Sequence, residues 1–269
     1  MTYHGKWALI TGASAGIGKA FAASLASKGA NLVLVARRKE RLDEIGAALA
    51  SRHSVTVKSI AADLSDPLAP EEIARSLSAD GVNIDILVSN AGYGLPGVFT
   101  ESDWRAHRDF IELMVTSYAH LTRLILPGMI ERGYGRIIQV ASVAGLTPGS
   151  SGHTMYGASK AFLISFAQSL AAECDGKGVH VSALCPGFTY SEFHDVNDTR
   201  ALVSQLPKFM FMQAEPVVEG ALAAVEKGHV VYVPGAWNKF TAWLVKALPR
   251  PWGAAIMKKQ SAKFRTKND

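Results

Sequence analysis

The chain has 269 residues, 48% of them hydrophobic, and a formal net charge of +5. That length suits one large α/β domain with a full core, and no stretch approaches the ~20 apolar residues that cross a bilayer. Two cysteines (Cys174 and Cys185, each in an apolar run) and eight histidines without metal-ligand spacing speak against a disulfide scaffold or a metal site.

Met1–Lys6 is polar and Trp7–Ile10 is too short for the apolar core of a secretory leader, so a cytoplasmic location is expected. Short β-branched runs at Trp7–Thr11, Leu32–Ala36, Thr56–Ala61, Ile84–Ser89, Arg136–Ala141 and Val179–Leu184 predict buried parallel strands. Amphipathic segments near 17–28, 40–51, 70–79, 103–132 and 155–175 predict the helices between them. A last strand is expected at Val230–Val233, before Pro234-Gly235. The alternation predicts an α/β fold, a doubly wound parallel sheet of about seven strands with helices on both faces. No internal repeat is evident.

The first strand runs into Thr11-Gly12-Ala13-Ser14-Ala15-Gly16-Ile17-Gly18. Glycines let this turn approach a pyrophosphate, whose charge meets the N-terminus of the following helix, so a dinucleotide site is expected. Strand two ends at Ala36 and is followed by Arg37 and Arg38. A carboxylate there would bind the ribose 2′-hydroxyl of NAD and repel a 2′-phosphate; two guanidiniums instead suit the phosphate of NADP. Lys39 and Arg41 read as solvated charges. Asp63-Leu64 follows strand three, where the carboxylate suits an adenine amino group. Asn90-Ala91-Gly92 follows strand four and offers small residues beside the adenosine ribose. Both lie where open α/β sheets bind ligands.

Tyr156-Gly-Ala-Ser-Lys160 places a phenol and an ammonium one helical turn apart, with Ser142 fourteen residues upstream. A phenol, with an ordinary pKa of about 10, needs such a cation to give up its proton near neutrality. With the glycine turn, Asn90-Ala91-Gly92 and Pro186-Gly187, these residues resemble the short-chain dehydrogenase/reductase family over about residues 5–235. The resemblance implies a Rossmann-type sheet and hydride transfer between NADP(H) and a carbonyl or secondary alcohol. It implies Tyr156 as the acid/base, Ser142 as hydrogen-bond partner of the substrate oxygen, and Lys160 as binder of the nicotinamide ribose that lowers the tyrosine pKa. Pro186-Gly187-Phe188 would lie against the nicotinamide carboxamide, with Ser191 where the family often has threonine. Pairing of helices 103–132 and 155–175 into a homodimer or homotetramer is implied too. The branch it suggests is that of the carbonyl, 3-oxoacyl and hydroxysteroid reductases.

One position departs from the pattern. Met114 stands where family members usually carry an asparagine that relays protons to the lysine, and a thioether donates nothing. The relay runs through waters on backbone carbonyls, or through Ser117 or Tyr118, or the protein is a weak catalyst that binds cofactor.

Residues 188–215 occupy the place of the family's substrate lid. They carry Phe193, Leu202, Val203, Leu206 and Phe209-Met210-Phe211-Met212, and of the cations only Arg200 and Lys208. This favours a lipophilic ketone, alcohol or acyl substrate, though packing within a lid helix explains the same residues. His153 reads as structural before substrate-facing, and Met155 as packing.

The chain divides at 235 into a catalytic domain and an extension, 236–269. That extension holds Trp237, Trp243 and Trp252, eight basic residues and a single acid, Asp269; the rest of the chain has 20 basic against 22 acidic residues. A nucleic-acid-binding body is therefore unsupported. Trp237, Phe240, Thr241, Leu244 and Leu248 recur at helical spacing, before Pro249 and Pro251. Peripheral membrane contact and packing on the protein both fit such a helix.

Overall fold

The computed structural model describes residues 2–247 apart from Pro96, Ser150, His153 and 191–209. Among these, seven strands form one parallel sheet in the order β3-β2-β1-β4-β5-β6-β7. They are β1 Trp7–Thr11, β2 Asn31–Ala36, β3 Val57–Ala61, β4 Ile86–Ser89, β5 Gly135–Val140, β6 Val179–Leu184 and β7 Val231–Tyr232. The helices are α1 Gly16–Ser27, α2 Lys39–His53, α3 Ala69–Ala79, α4 Trp104–Ile111, α5 Ser117–Glu131, α6 Thr154–Glu173, α7 Ala214–Glu226 and α8 Ala236–Ala247.

Successive strand residues point to opposite faces, and both faces are apolar. Leu9, Val33, Val35, Leu87, Ile137 and Val181 meet α3, α5 and α6 through Ile73, Leu121 and Leu163. Ala8, Ile10, Leu32, Leu34, Val88 and Ile138 meet α1, α2 and α7 through Phe21, Leu42 and Val217. Burial on both sides is what makes the strands read as continuous apolar runs. Strand order reverses between β1 and β4, which opens a crevice at their carboxyl ends.

Three differences from the sequence reading have physical causes. β4 begins at Ile86, two residues later than read. Asp85 just before it ties the strand's start to its neighbours: its amide donates to the Trp7 carbonyl (2.9 Å), its carbonyl accepts from the Arg136 amide (2.9 Å) and its carboxylate accepts from the Trp7 amide (3.0 Å). The segment 103–132 is not one helix: a π-turn at Glu112–Thr116 separates α4 from α5. That widened turn directs Phe110, Met114, Ser117 and Tyr118 all into the core, each at most 1% exposed. Helix α7 is not evident in the sequence, where Pro216 and Gly220 interrupt the pattern; it buries Val217, Val218, Ala221, Leu222, Ala224 and Val225 on one face, opposite Glu215, Glu219 and Glu226.

Candidate active site

The phosphate-binding turn closes on itself before any ligand is considered. Gly12 has φ +66°, and a Cβ there would lie 2.7 Å from the Asn90 amide nitrogen. A Cβ at Gly18 would overlap the Gly12 carbonyl, so only glycine lets α1 rest on the turn. Thr11 locks the arrangement: its hydroxyl accepts from the amides of Asn90 (2.8 Å) and Ala91 (3.0 Å). The Asn90 side chain donates to the Thr11 carbonyl (2.9 Å). Asn90 is thus a staple between β1 and β4, and the Ala91 amide is held by Thr11 as well. Sequence reasoning missed Thr11, whose only signal was its place as the last residue of the strand.

Helix α1 starts without a capping side chain, since Ala15 is its N-cap, and its first turn holds no acid. Its first amides therefore await an anion, and the turn fits the pyrophosphate of a nicotinamide dinucleotide. Beside it, Arg38 donates to the hydroxyl of Ser14 (3.3 Å), itself buried in the turn. Arg37 is exposed and lies close enough to Asp63 to act on its charge. Partial burial raises the Asp63 pKa, but hydrogen bonds from Ser65 and the charge of Arg37 outweigh that and hold the carboxyl below its usual range. One Asp63 oxygen is engaged by the Ser65 amide (3.0 Å) and hydroxyl (2.8 Å). Leu64 turns its side chain into the core, so only its backbone faces this end of the crevice.

Ser142, Tyr156 and Lys160 converge at the end of β5. Ser142 caps the short 3-10 turn Val143–Gly145, accepting from the Ala144 amide (3.1 Å), and its hydroxyl is hydrogen-bonded to the Tyr156 phenol. Lys160 is 4% exposed; its Nζ donates to the Val140 carbonyl (2.7 Å) and lies 5.6 Å from the Tyr156 ring centre. Burial dominates both ionisations. It lowers Lys160 from 10.5 to about 7 and raises the Tyr156 phenol, against which the Ser142 hydrogen bond works. In the protein alone the lysine therefore does not bring the tyrosine below its ordinary pKa; desolvation moves both groups toward neutrality. Cys185 is pushed up to about 12 by burial, partly offset by Lys160. It is a buried thiol, as is Cys174.

Met114 is fully buried, and its sulfur lies 2.8 Å from where a Gly92 Cβ would stand. Of the two hydroxyls expected near the relay, Ser117 turns away and donates to the Leu113 carbonyl (2.7 Å). Tyr118 stays: its hydroxyl donates to the Ala91 carbonyl (2.8 Å) and its ring centre is 5.8 Å from Lys160 Nζ. The ammonium therefore sits between two tyrosine rings, with a thioether on the neighbouring turn instead of an amide.

The strap Pro186-Gly187-Phe188 follows β6. Past it, Tyr190 donates its amide to the Met212 carbonyl (3.0 Å) and the Met212 amide donates to the Phe188 carbonyl (2.9 Å), so 188–190 is joined to Met212. Phe211 packs on Phe188 and on Tyr190, at 5.6 and 5.0 Å between ring centres. Ser191, His153, Phe193, Arg200, Leu202, Val203, Leu206, Lys208 and Phe209 lie outside the described residues.

Residues 6–201 match the model of the short chain dehydrogenase family. The very-long-chain 3-oxoacyl-CoA reductase of Anas platyrhynchos is 32% identical over 270 residues, 98% of this chain and 82% of that protein. The chain spans only 61% and 62% of two further reductases of that description, from Pyrenophora tritici-repentis and Danio rerio. Among solved structures, a short-chain dehydrogenase from Sphingobium yanoikuyae in complex with NADPH superposes with a TM-score of 0.79, at 31% identity, over 91% of this chain and 97% of that one. The bulky-bulky ketone specific alcohol dehydrogenase from Comamonas testosteroni gives 0.75 at 30% identity, over 98% and 95%. With the glycine turn, the serine, the tyrosine and the lysine all at one crevice, this chain belongs to the short-chain dehydrogenase family and is an oxidoreductase.

Proposed function

We propose that the protein is an NADP(H)-dependent reductase of bulky apolar ketones or 3-oxoacyl groups. The observation that carries the cofactor reading is Arg38 on Ser14 beside the phosphate turn, with Ala36, not a carboxylate, ending β2. A 2′-phosphate would find guanidinium donors there and meet no repelling acid. The NADPH complex of the Sphingobium protein and the substrate classes named for the duck and Comamonas enzymes support the same reading. Michaelis constants for both cofactors test it: a lower value for NADPH is expected, and a lower value for NADH overturns it.

The bound nicotinamide supplies the hydride, and the chain's own residues manage charge and protons. Burial keeps the Tyr156 phenol protonated near neutrality, which is the form that gives a proton to a carbonyl oxygen as it becomes an alkoxide. Ser142 adds a second hydroxyl donor, aimed at the same developing charge. Lys160, titrating near 7, stands close behind the tyrosine as the source from which its proton is restored. Alcohol oxidation needs the phenolate instead, so its rate should rise with pH while reduction falls as the phenol ionises.

A second reading rests on Met114: with no amide at the relay position, the protein binds NADPH and turns over slowly. A screen of NADPH oxidation with aliphatic, aromatic and steroidal ketones separates the two. Turnover of any of them supports the reductase; tight NADPH binding with no turnover supports the second. The assembly we propose is a homo-oligomer through α5 and α6, whose outer faces expose Leu124 and Phe162, the latter stacked on the half-buried Phe166. Phe162→Glu should reduce the mass seen by sedimentation; an unchanged mass places the contact elsewhere.

A further inference from the structure

Helix α8 has an anchored side and an aromatic side. On the anchored side Asn238 is 8% exposed and donates to the Pro234 carbonyl (2.9 Å). Its Cγ stands 2.7 Å from where a Cβ on Gly187 would be, so the helix is seated directly on the strap after β6. On the other side Trp237, Phe240 and Trp243 are 46%, 50% and 63% exposed. Their rings follow one another at 6.1 and 6.2 Å between centres, forming a continuous apolar ladder along the helix. Contiguous exposed apolar patches of this kind commonly mark interaction surfaces.

Charge identifies the occupant. From Ala236 onward the sequence has eight basic residues and one acid, whereas the body is slightly acidic. An isologous contact with a second copy would bring two such cationic segments together, and like charges oppose it. An anionic lipid surface meets both features, taking the rings at the headgroup level and pairing with the lysines and arginines. Twelve residues of helix span about 18 Å, short of the ~30 Å hydrocarbon core, and no helix among the described residues is long and apolar enough to cross. The helix therefore lies in the interface plane.

We propose that α8 is an interfacial membrane-binding helix that docks the protein on anionic lipid through Trp237, Phe240 and Trp243. Asn238 seats the opposite side of the helix on Gly187, so the docked rings stand about one helix width (~10 Å) from the Pro186-Gly187 strap. The inference stands on exposure and charge, and its test reads no turnover, so it fails or holds separately from the reductase reading.

Cosedimentation of the full chain with phosphatidylcholine–phosphatidylserine vesicles tests it. We expect binding at low salt, with blue-shifted tryptophan emission, and release in about 1 M salt, where the screening length falls to ~3 Å. The triple variant Trp237→Ser/Phe240→Ser/Trp243→Ser should bind at least about tenfold more weakly, a loss of ~1.4 kcal/mol. Circular dichroism and NADPH binding check its fold, and Phe240→Ser alone serves if the triple variant is unfolded. Full chain left in the supernatant, or a folded variant that binds as tightly as the parent, overturns the proposal. A variant that loses self-association, from a parent that ignores lipid, assigns the face to a second copy and overturns it equally.

Discussion

The crevice between β1 and β4 and the pocket at the end of β5 are built on opposite principles. In the first, polar groups are matched: Thr11, Asn90 and the amides around them exchange short hydrogen bonds, and the turn holds its shape unaided. In the second, Lys160 has the Val140 carbonyl as its hydrogen-bond partner and lies 5.8 and 5.6 Å from the centres of two tyrosine rings. One region is preorganised by satisfied hydrogen bonds; the other keeps its ionisable groups away from their charged forms until a ligand changes their surroundings. Stability and reactivity have been assigned to neighbouring strand ends.

Substitutions break or sharpen that contrast. The largest effect is expected at Tyr156→Phe, which removes the acid while keeping the ring. Turnover should fall by about 10³-fold or more with NADPH binding retained, since a positioned acid/base contributes roughly 10²–10⁴. Near-normal rates in steady-state assays would refute the role.

Thr11→Val probes the satisfied region. It leaves the Asn90 and Ala91 amides without their acceptor, at about 1–3 kcal/mol for each buried group. Denaturant titration should show a loss of ~2–4 kcal/mol together with weaker cofactor binding. A loss below that range would mean that water takes over both amides.

Lys160→Met should act in the opposite direction on stability. Lysine's pKa falls from 10.5 to about 7 in the fold. Between those values the unfolded chain carries a proton that the native state lacks, so this group's contribution to stability rises with pH through that window. Replacing it with methionine should remove that slope and raise the Tm of the cofactor-free protein at pH 7 by about 3 °C or more. Thermal melts from pH 6 to 10 check it; an unchanged slope would mean that Lys160 is charged in the fold.

The smallest effect is expected from Met114→Asn, which gives the ammonium a polar neighbour. The limb of the pH–rate profile near 7 should move to higher pH, because an amide oxygen favours the charged lysine. An unchanged profile would remove any role for this position in proton supply.

Much of the architecture was legible because its signals are local. A strand buried on both faces is largely apolar, which is why Trp7–Thr11 is bounded as read; Val179–Leu184 is too, although it carries His180 and Ser182. The glycine turn and the Tyr156–Lys160 spacing are equally local. The start of β4 is set by contacts of Asp85 with Trp7 and Arg136 across the sheet, and no window along the chain contains all three. Helix α7 buries one face and carries Glu215, Glu219 and Glu226 on the other, but Pro216 and Gly220 within it obscure the helical pattern along the sequence.

The sequence by itself determined the parallel sheet, the phosphate turn and the identity of the serine, tyrosine and lysine, since each depends on residue type and short-range spacing. Only the tertiary structure decided what surrounds them. It made Asn90 a staple to Thr11, chose Tyr118 over Ser117 as the hydroxyl near Lys160, and set Asn238 of the last helix on Gly187. It also buried Lys160 and Tyr156, which in the protein without cofactor brings the lysine down to about 7 and lifts the phenol above its ordinary value. The reason is that desolvation depends on everything packed around a group, and that environment is assembled from segments far apart in the chain.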